Sequence, residues 1–338
     1  MLGHLGSTFL RKYQSALVRF KNWSAHTLLI WLEKQPPNYR FAVRNMLFTL
    51  GAPIFRQTQA FADWQESKDF FLLHPHPFID FITLKQQVRT TLQPNESIAI
   101  HLHLFYPELA IEIAQYLAHF PFPIDLYIST PFAKDIPTYS ELFKTLAPIK
   151  AIFIEETDNR GRDLGPMLTA FGKKIARYTY FAHVHTKKSV GTNPIGEPWR
   201  TYLLESVLGN AHHRQERLLG ALRLHGLIYP QKFPWIDVAN CRWGNNYPRA
   251  QVLAQRFNLR PFPNGYCEFP AGAMFWARTS ALLPLLEEKW AQDDFEIEAG
   301  QTDGTLAHCL ERLLPQICFA QGERVGILTN PSFLNHYP

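Results

Sequence analysis

Strand-like and helix-like segments alternate from Ile98 to Ser189, and this alternation constrains the fold more than any other feature of the chain. Ile98-Ala-Ile-His-Leu-His-Leu-Phe-Tyr106 reads as a strand. Pro107 then opens a helix over Glu108 to His119, as proline does at a first helical position. Ile124-Asp-Leu-Tyr-Ile-Ser-Thr130 is a second strand, followed by a helix from Thr138 to Leu146. Lys150-Ala-Ile-Phe-Ile-Glu155 is a third, and a helix from Pro166 to about Ala176 leads to an apolar strand beginning at Tyr178. Strands alternating with helices imply βαβ crossovers, and hence an α/β fold with a mainly parallel sheet flanked by helices.

In such a sheet, ligands bind just beyond the carboxyl ends of the strands. The polar residues at those ends are therefore the candidates for function. Tyr178-Thr-Tyr-Phe-Ala-His-Val-His-Thr-Lys-Lys-Ser189 turns abruptly from an apolar run into His183, His185, Thr186, Lys187 and Lys188. Lysine pairs with phosphate as a point charge, and its pull grows where water is thin, so this edge suits a diphosphate. The competing expectation is a solvated basic loop. After the third strand, Glu156-Thr-Asp-Asn-Arg-Gly-Arg-Asp-Leu-Gly-Pro-Met167 aims a helix N-terminus at the same edge. Glycine-freed amides and helix N-termini bind phosphate. Arg160 and Arg162 can grip its oxygens, and Asp163 can accept from a ribose or sugar hydroxyl. Otherwise these charges simply pair with one another.

Three later stretches carry weaker signals. The loop Trp235 to Arg249 holds Trp243, Asn245 and Asn246, and aromatic faces beside amides suit sugar rings. In Glu268-Phe-Pro-Ala-Gly-Ala-Met-Phe-Trp-Ala-Arg278, small residues at 271 to 273 would let a ligand approach the backbone before a strand ending at Arg278. Phe295 to Arg312 sets acids before a helix that Thr302 or Asp303 could cap. Leu306, Leu310, Leu313 and Leu314 form its apolar face, and His308, Glu311 and Arg312 share another side.

Residues 1–93 read as a mostly helical N-terminal region, and 94–338 as the sheet-bearing domain. Ser15 to Lys34 is basic and amphipathic; it would either touch a membrane surface or pack on its own domain. With 46% apolar and 19% charged residues, a soluble globular protein with a large core is expected. The net charge of +5 fits an acidic small ligand or an anionic membrane, and no basic tract marks a nucleic-acid binder. Four cysteines without a CxxC pair indicate neither a zinc site nor a disulfide framework, and reduced thiols in a cytoplasm are expected. The N-terminus lacks a signal-peptide core, and no apolar run nears the roughly 20 residues that span a bilayer, so membrane contact would be peripheral.

Together, His101-Leu-His-Leu-Phe-Tyr106, Asn159-Arg-Gly-Arg-Asp163, His185-Thr-Lys-Lys-Ser189, Trp199-Arg200, Phe269-Pro-Ala-Gly-Ala-Met-Phe-Trp-Ala-Arg278, Asp303-Gly-Thr-Leu-Ala-His308 and Glu311-Arg312 resemble the rhamnan synthesis F family of glycosyltransferase-like proteins. The resemblance runs from about residue 95 to 320. It implies a GT-A-like, Rossmann-type glycosyltransferase of bacterial polysaccharide or lipopolysaccharide assembly. The implied donor is a nucleotide-activated deoxysugar such as dTDP-L-rhamnose, and the implied acceptor a lipid-linked glycan at the inner membrane face. On that footing Asn159, Arg160, Arg162, Asp163, His101, His185 and Lys188 would hold the donor. Trp199, Arg200, Gly272 and Trp276, with Trp243 and Asn245, would face the acceptor or its sugar. Asp303 would be the general base of an inverting displacement, with Glu298 and Glu296 in reserve.

GT-A enzymes usually place an Asp-x-Asp metal clamp after the central strand, where this chain has His183-Val-His185-Thr-Lys-Lys188. Either His185 joins a site for a divalent metal such as magnesium or manganese, or Lys187 and Lys188 neutralise the leaving diphosphate in its place. The lysines are preferred, because two cations repel a metal. Two other functions stay open: a metal-dependent hydrolase using the His101-Leu-His103 and His183-Val-His185 pairs, and a non-catalytic glycan-assembly subunit.

Overall fold

A computed structural model describes residues 27–28, 31–32, 37–62, 64–65, 77–188, 196–233, 236 and 238–329. The chain divides into two compact units, Met1–Leu73 and His74–Pro338. In the first, helix α1 (Pro37–Leu50) and a short helical turn gather Phe48, Phe55 and Phe61 around one another, with Phe48 5.3 Å from Phe55 and 5.4 Å from Phe61. Most of Ser15 to Lys34, where an amphipathic face was expected, lies outside the described residues, as does most of the Gly191 to Pro198 loop.

The second unit is built on one eight-stranded sheet. Its strands are β1 (Ile79–Ile82), β2 (Ile98–His103), β3 (Ile124–Thr130), β4 (Ile149–Glu156), β5 (Tyr180–His185), β6 (Leu227–Pro230), β7 (Phe275–Arg278) and β8 (Val325–Leu328). The order is β1-β8-β6-β7-β5-β2-β3-β4, and β7 alone runs antiparallel to its neighbours. The mainly parallel α/β fold read from the alternation is therefore the fold observed. The edge strand β1 and its neighbour β8 escaped the sequence reading because four residues are too few to display a period. β1 also lies ahead of residue 94, so the sheet-bearing unit reaches back to His74.

Side-chain alternation gives the sheet two different faces. Ile98, Ile100 and Leu102 of β2, Leu126 and Ile128 of β3, and Tyr180, Ala182 and Val184 of β5 turn to one side. There they pack on α2 (Ala110–Ala118), α3 (Ile136–Lys144), α5 (Gly196–Val207) and α6 (Arg214–Leu222) through residues such as Ile113, Phe143, Leu204 and Leu218. Each such fully buried side chain contributes about 1.5–3 kcal/mol relative to exposure. The other face carries His101, His103, Ser129, Phe181, His183 and His185. It is covered by α4 (164–175), whose Phe171 lies 5.7 Å from His101 and 5.2 Å from Tyr127.

Helix α4 begins at Leu164, two residues before Pro166, and is π-wound over Met167–Phe171. Such π-turns are common beside functional sites. Within the stretch read as a loop, residues 238–249 wind through two 3₁₀ turns and enter α7 (Tyr247–Arg256). Helix α8 (Leu306–Ala320) buries the expected leucines, but its cap is Thr305, whose hydroxyl accepts from His308 N, and not Thr302 or Asp303.

Gly172 sets how closely α4 approaches its neighbour, because a Cβ there would sit 2.7 Å from the Leu286 carbonyl oxygen. That backbone cannot yield as a side chain could. Gly172→Ala is expected to destabilise the protein by about 1–3 kcal/mol, read as a lowered urea midpoint; an unchanged midpoint would show that α4 is free to shift.

Candidate active site

Register assembles the site. β2 and β5 pair so that His101 lies beside His183 and His103 beside His185, while Ser129 of β3 sits next to His103. Because residues two apart share a face, two His-x-His strands in register place four imidazoles on one patch. Three of them, with Ser129 and Asp163, are hydrogen-bonded into a chain. His183 Nε2 lies 2.9 Å from Asp163 Oδ2, and His183 Nδ1 lies 2.9 Å from His101 Nδ1. His101 Nε2 is 3.0 Å from Ser129 Oγ, which is 2.9 Å from His103 Nδ1. His101, His183 and Ser129 are completely buried.

Asp163 reaches this row from the start of α4 because the preceding turn uses two left-handed residues, Gly161 (φ 65°) and Arg162 (φ 56°). Gly161 is required twice over, since a Cβ there would fall 2.4 Å from the Phe295 ring. Burial works against charge on His101, His103 and His183. It holds His101 well below the ordinary histidine range and lowers His183 despite the facing carboxylate, while His103 is pushed down to about 3. Asp163 is buried as well, yet His185 and His183 keep its carboxyl far below the usual range.

Around this row lies a charged rim. Lys187, half-buried, sets its Nζ 3.7 Å from the Trp199 ring centre. Burial lowers its pKa, opposed by Glu311 and Asp163. Glu311, on α8, accepts from the amides of Gly272 (2.9 Å) and Ala273 (3.0 Å), both left-handed, and so secures a strained turn. The Gly272 carbonyl in turn accepts from His185 Nε2 at 2.8 Å. Arg162 is more exposed, 3.6 Å from Glu298 and bonded to the Gln301 carbonyl. Asp303 has one oxygen clamped, with Oδ1 2.5 Å from Asn246 Nδ2 and 3.3 Å from buried Arg312; Oδ2 lies near Gly244, where a Cβ would come within 3.1 Å of it. His308 faces the charges of Arg162, Arg312, Asp303 and Asp163, and burial pushes it down to about 4. Beyond the carboxyl ends of β2, β3 and β4 opens a cavity of about 460 Å³ lined by Phe105, Pro131, Phe132, Glu156, Thr157, Asp158 and Asn159.

The segments near residues 162, 187 and 303 thus meet in one network, with Asp163 and His185 beside them. Several expected site residues do other work. His101 is enclosed and cannot touch a ligand. Asp163 directs Oδ2 at His183 and is buried with it. Phe275 faces His183 at 5.5 Å, so its neighbour Trp276 points to the opposite face, stacking on Phe120 and donating to Val207 O. Trp243 is buried against Phe262 at 4.5 Å, while Asn245 stays exposed. The small residue at 272 admits Leu203 and Trp199, which a Cβ would meet at 2.8 and 3.1 Å, and not a ligand. Arg160 ties the Phe295 carbonyl and Asp293, Lys188 pairs with Glu108 at the surface, and Arg200 binds Glu112 and the Lys187 carbonyl. Asn159 is exposed, its carbonyl holding Glu298 N. Glu296 is occupied by Arg249 and the Leu306 amide. Sequence reasoning assigned no role to Ser129, Glu268 or Glu311. Glu268, pushed up to about 7 by burial against the opposing hydrogen bond from Tyr266, gives no sign of this in sequence because burial is set by the fold and not by adjacent residues.

All four ring nitrogens of His101 and His183 are taken by hydrogen bonds, which leaves the His-x-His pairs no shared lone pairs for a metal. Among the described residues no group of three or more His, Cys, Asp or Glu is placed to hold one. The donor set does not fit a divalent metal: the carboxylate beside the imidazoles is already bonded, and Lys187 and Arg162 lie within its field. Among the described residues, no helix is long and apolar enough to cross a membrane.

A family model described as rhamnan synthesis protein F matches residues 66–323. The chain is also 27% identical, over 336 residues, to the uncharacterized protein WxcX from two strains of Xanthomonas campestris pv. campestris. That match covers 93% of this chain and 44% of WxcX, so the chain spans less than half the length of these curated relatives. The crystal structure of S. aureus TarS 1-349 overlies 70% of this chain and 58% of that one, at 10% identity and a TM-score of 0.38.

Four buried histidines with lowered pKa make stability depend on acid. In the unfolded chain they take up protons below about pH 6.5, whereas the folded protein refuses them until pH falls toward 3 to 4 for His103 and His308. The unfolded state therefore binds more protons in this window, and stability falls as pH drops. Each histidine contributes at most about 1.4 kcal/mol per pH unit. Below about pH 4, protonation of Asp163 in the unfolded chain adds a loss of the same sign. Urea midpoints at pH 7 and pH 5 test this; equal midpoints would mean that the imidazoles are charged in the fold.

Proposed function

The chain belongs to the rhamnan synthesis protein F family, and from that premise we propose that it is a glycosyltransferase of bacterial polysaccharide or lipopolysaccharide assembly. It moves a deoxysugar, L-rhamnose, from dTDP-L-rhamnose to a growing lipid-linked glycan, working against the cytoplasmic membrane face. The observation that carries the reading is the gathering of Lys187, Arg162, Glu298 and Asp303 around one buried row of imidazoles beyond the carboxyl ends of β2 and β5.

The chemistry follows from that arrangement. The cavity beside Phe105, Phe132 and Thr157 takes the nucleoside half of the donor. Lys187, in its water-poor place over Trp199, and the more exposed Arg162 face the diphosphate. Asp303 is the base. Its Oδ1 is fixed by Asn246 and Arg312, so Oδ2 is presented in one orientation. As the acceptor oxygen bonds to the anomeric carbon from the far side, its proton passes to Asp303. The bond from that carbon to the diphosphate oxygen breaks, the electron pair leaving with the nucleotide, and the configuration inverts. Positive groups that meet the departing charge lower the barrier.

Asp303→Asn is expected to lower kcat at least about 100-fold while donor affinity stays within about twofold, measured as sugar transfer or donor hydrolysis alongside calorimetry. Near-normal turnover would remove Asp303 from the role. Arg162→Ala should weaken donor binding about tenfold. Lys187→Ala should cost more in kcat than in affinity, because its contact strengthens as the diphosphate leaves. Failure of the wild-type chain to bind any nucleotide sugar in a thermal-shift screen would overturn the transferase reading.

A further inference from the structure

The chain of hydrogen bonds from Asp163 to His103 has a direction, and the direction has a consequence at the mouth of the site. A carboxylate only accepts, so Asp163 requires His183 to present Nε2–H. A neutral imidazole carries one N–H, so His183 Nδ1 is bare and must accept from His101 Nδ1–H. His101 Nε2 is then bare and accepts the Ser129 hydroxyl proton. The Ser129 oxygen in turn accepts from His103 Nδ1–H. His103 Nε2 is what remains. It has no hydrogen-bond partner among the described residues, yet it is not among the fully enclosed unpartnered atoms, and His103 keeps 5% of its surface exposed.

The opposite direction is disfavoured. It would set a bare His183 Nε2 against the carboxylate 2.9 Å away, or put a charge on a completely buried imidazole. Burial lowers His101, His103 and His183 alike, in keeping with a row of neutral rings.

We propose that Asp163 acts as a positioning residue that fixes His103 as a hydrogen-bond acceptor, and that His103 Nε2 recognises a hydroxyl of the bound ligand. A bare ring nitrogen repels a phosphate oxygen and welcomes an O–H, so His103 reads the sugar or the ribose while Lys187 and Arg162 serve the diphosphate. The identity of the hydroxyl rests on the transferase reading above; the direction of the chain does not. Asp163, His183, His101 and Ser129 thereby act as a single device, which imposes on His103 the less common Nδ1–H tautomer at a distance of three side chains.

Ring nitrogen resonances of the ¹⁵N-histidine-labelled full chain, free of ligand, test the direction. His101 and His103 are expected as Nδ1–H tautomers and His183 as the Nε2–H tautomer, each identified by its loss in a single glutamine variant. His103 carrying Nε2–H overturns the proposal without any variant needing to fold. Asp163→Asn should release the order and give His103 a mixed tautomer, which a purely structural Asp163 would not do; an unchanged His103 signal in a folded Asp163→Asn protein also overturns it. Calorimetry with dTDP and with dTDP-L-rhamnose tests the contact. His103→Ala should weaken binding about 5- to 20-fold, and His103→Gln, which keeps an acceptor at similar reach, should recover most of it. Weakening confined to the nucleotide sugar assigns the hydroxyl to the sugar, and weakening shared with dTDP assigns it to the ribose. Equal affinities for wild type and His103→Ala overturn the contact. If the wild type binds neither probe, the transferase reading fails while the tautomer result stands or falls alone.

Discussion

The hydrogen bond between Asp163 and His183 is the interaction on which the site depends. It joins a carboxylate at the start of α4 to the central strand of the sheet, at 2.9 Å, in a place where water scarcely reaches. A buried carboxylate without partners would cost several kcal/mol, so the geometry that delivers Asp163 to the imidazoles is tightly held. That geometry comes from the left-handed turn at Gly161 and Arg162, the Phe295 ring packed on Gly161, and Arg160 bonded to the Phe295 carbonyl. A segment more than a hundred residues away in sequence thus sets where Asp163 stands.

The rim follows from the same frame. Once β5 is fixed by β2 and β7, His185 meets the Gly272 carbonyl, and Glu311 holds the two amides of that turn. Gly272 lets Trp199 close over the turn, and Trp199 gives Lys187 its seat. Arg200 secures the Lys187 backbone from the same helix. Lys187 is therefore held by a neighbour whose main task is packing, while the more exposed Arg162 is held by Glu298 and the Gln301 carbonyl.

Much of this was legible in the sequence. β2 to β5 and the helices between them stood out because apolar runs of six to eight residues with proline and glycine punctuation leave a clear period. The polar turns after β4 and β5 declared themselves for the same reason. The roles of individual aromatics did not. Trp276 and Trp243 look like sugar platforms in isolation, but strand alternation sends the first into the core and Phe262 covers the second. The helix cap was misplaced by two or three residues, since Thr302, Asp303 and Thr305 are all good caps and only backbone angles choose among them. His101-Leu-His103 and His183-Val-His185 suggested metal pairs; pairing across strands drew three of these histidines into a hydrogen-bonded row and left His185 on the Gly272 carbonyl.

By itself the sequence determined the fold class and the edge of the sheet where polar and charged side chains gather, because hydrophobic period and turn chemistry are local properties that a strand or helix carries with it. It also determined that a given strand's alternate residues share a face. Tertiary structure alone decided which faces meet. Register set His101 beside His183, the α4 turn brought in Asp163, and α8 supplied Glu311 and Arg312. These contacts join residues tens to more than a hundred positions apart, and their protonation and orientation depend on burial that no short stretch of chain can report.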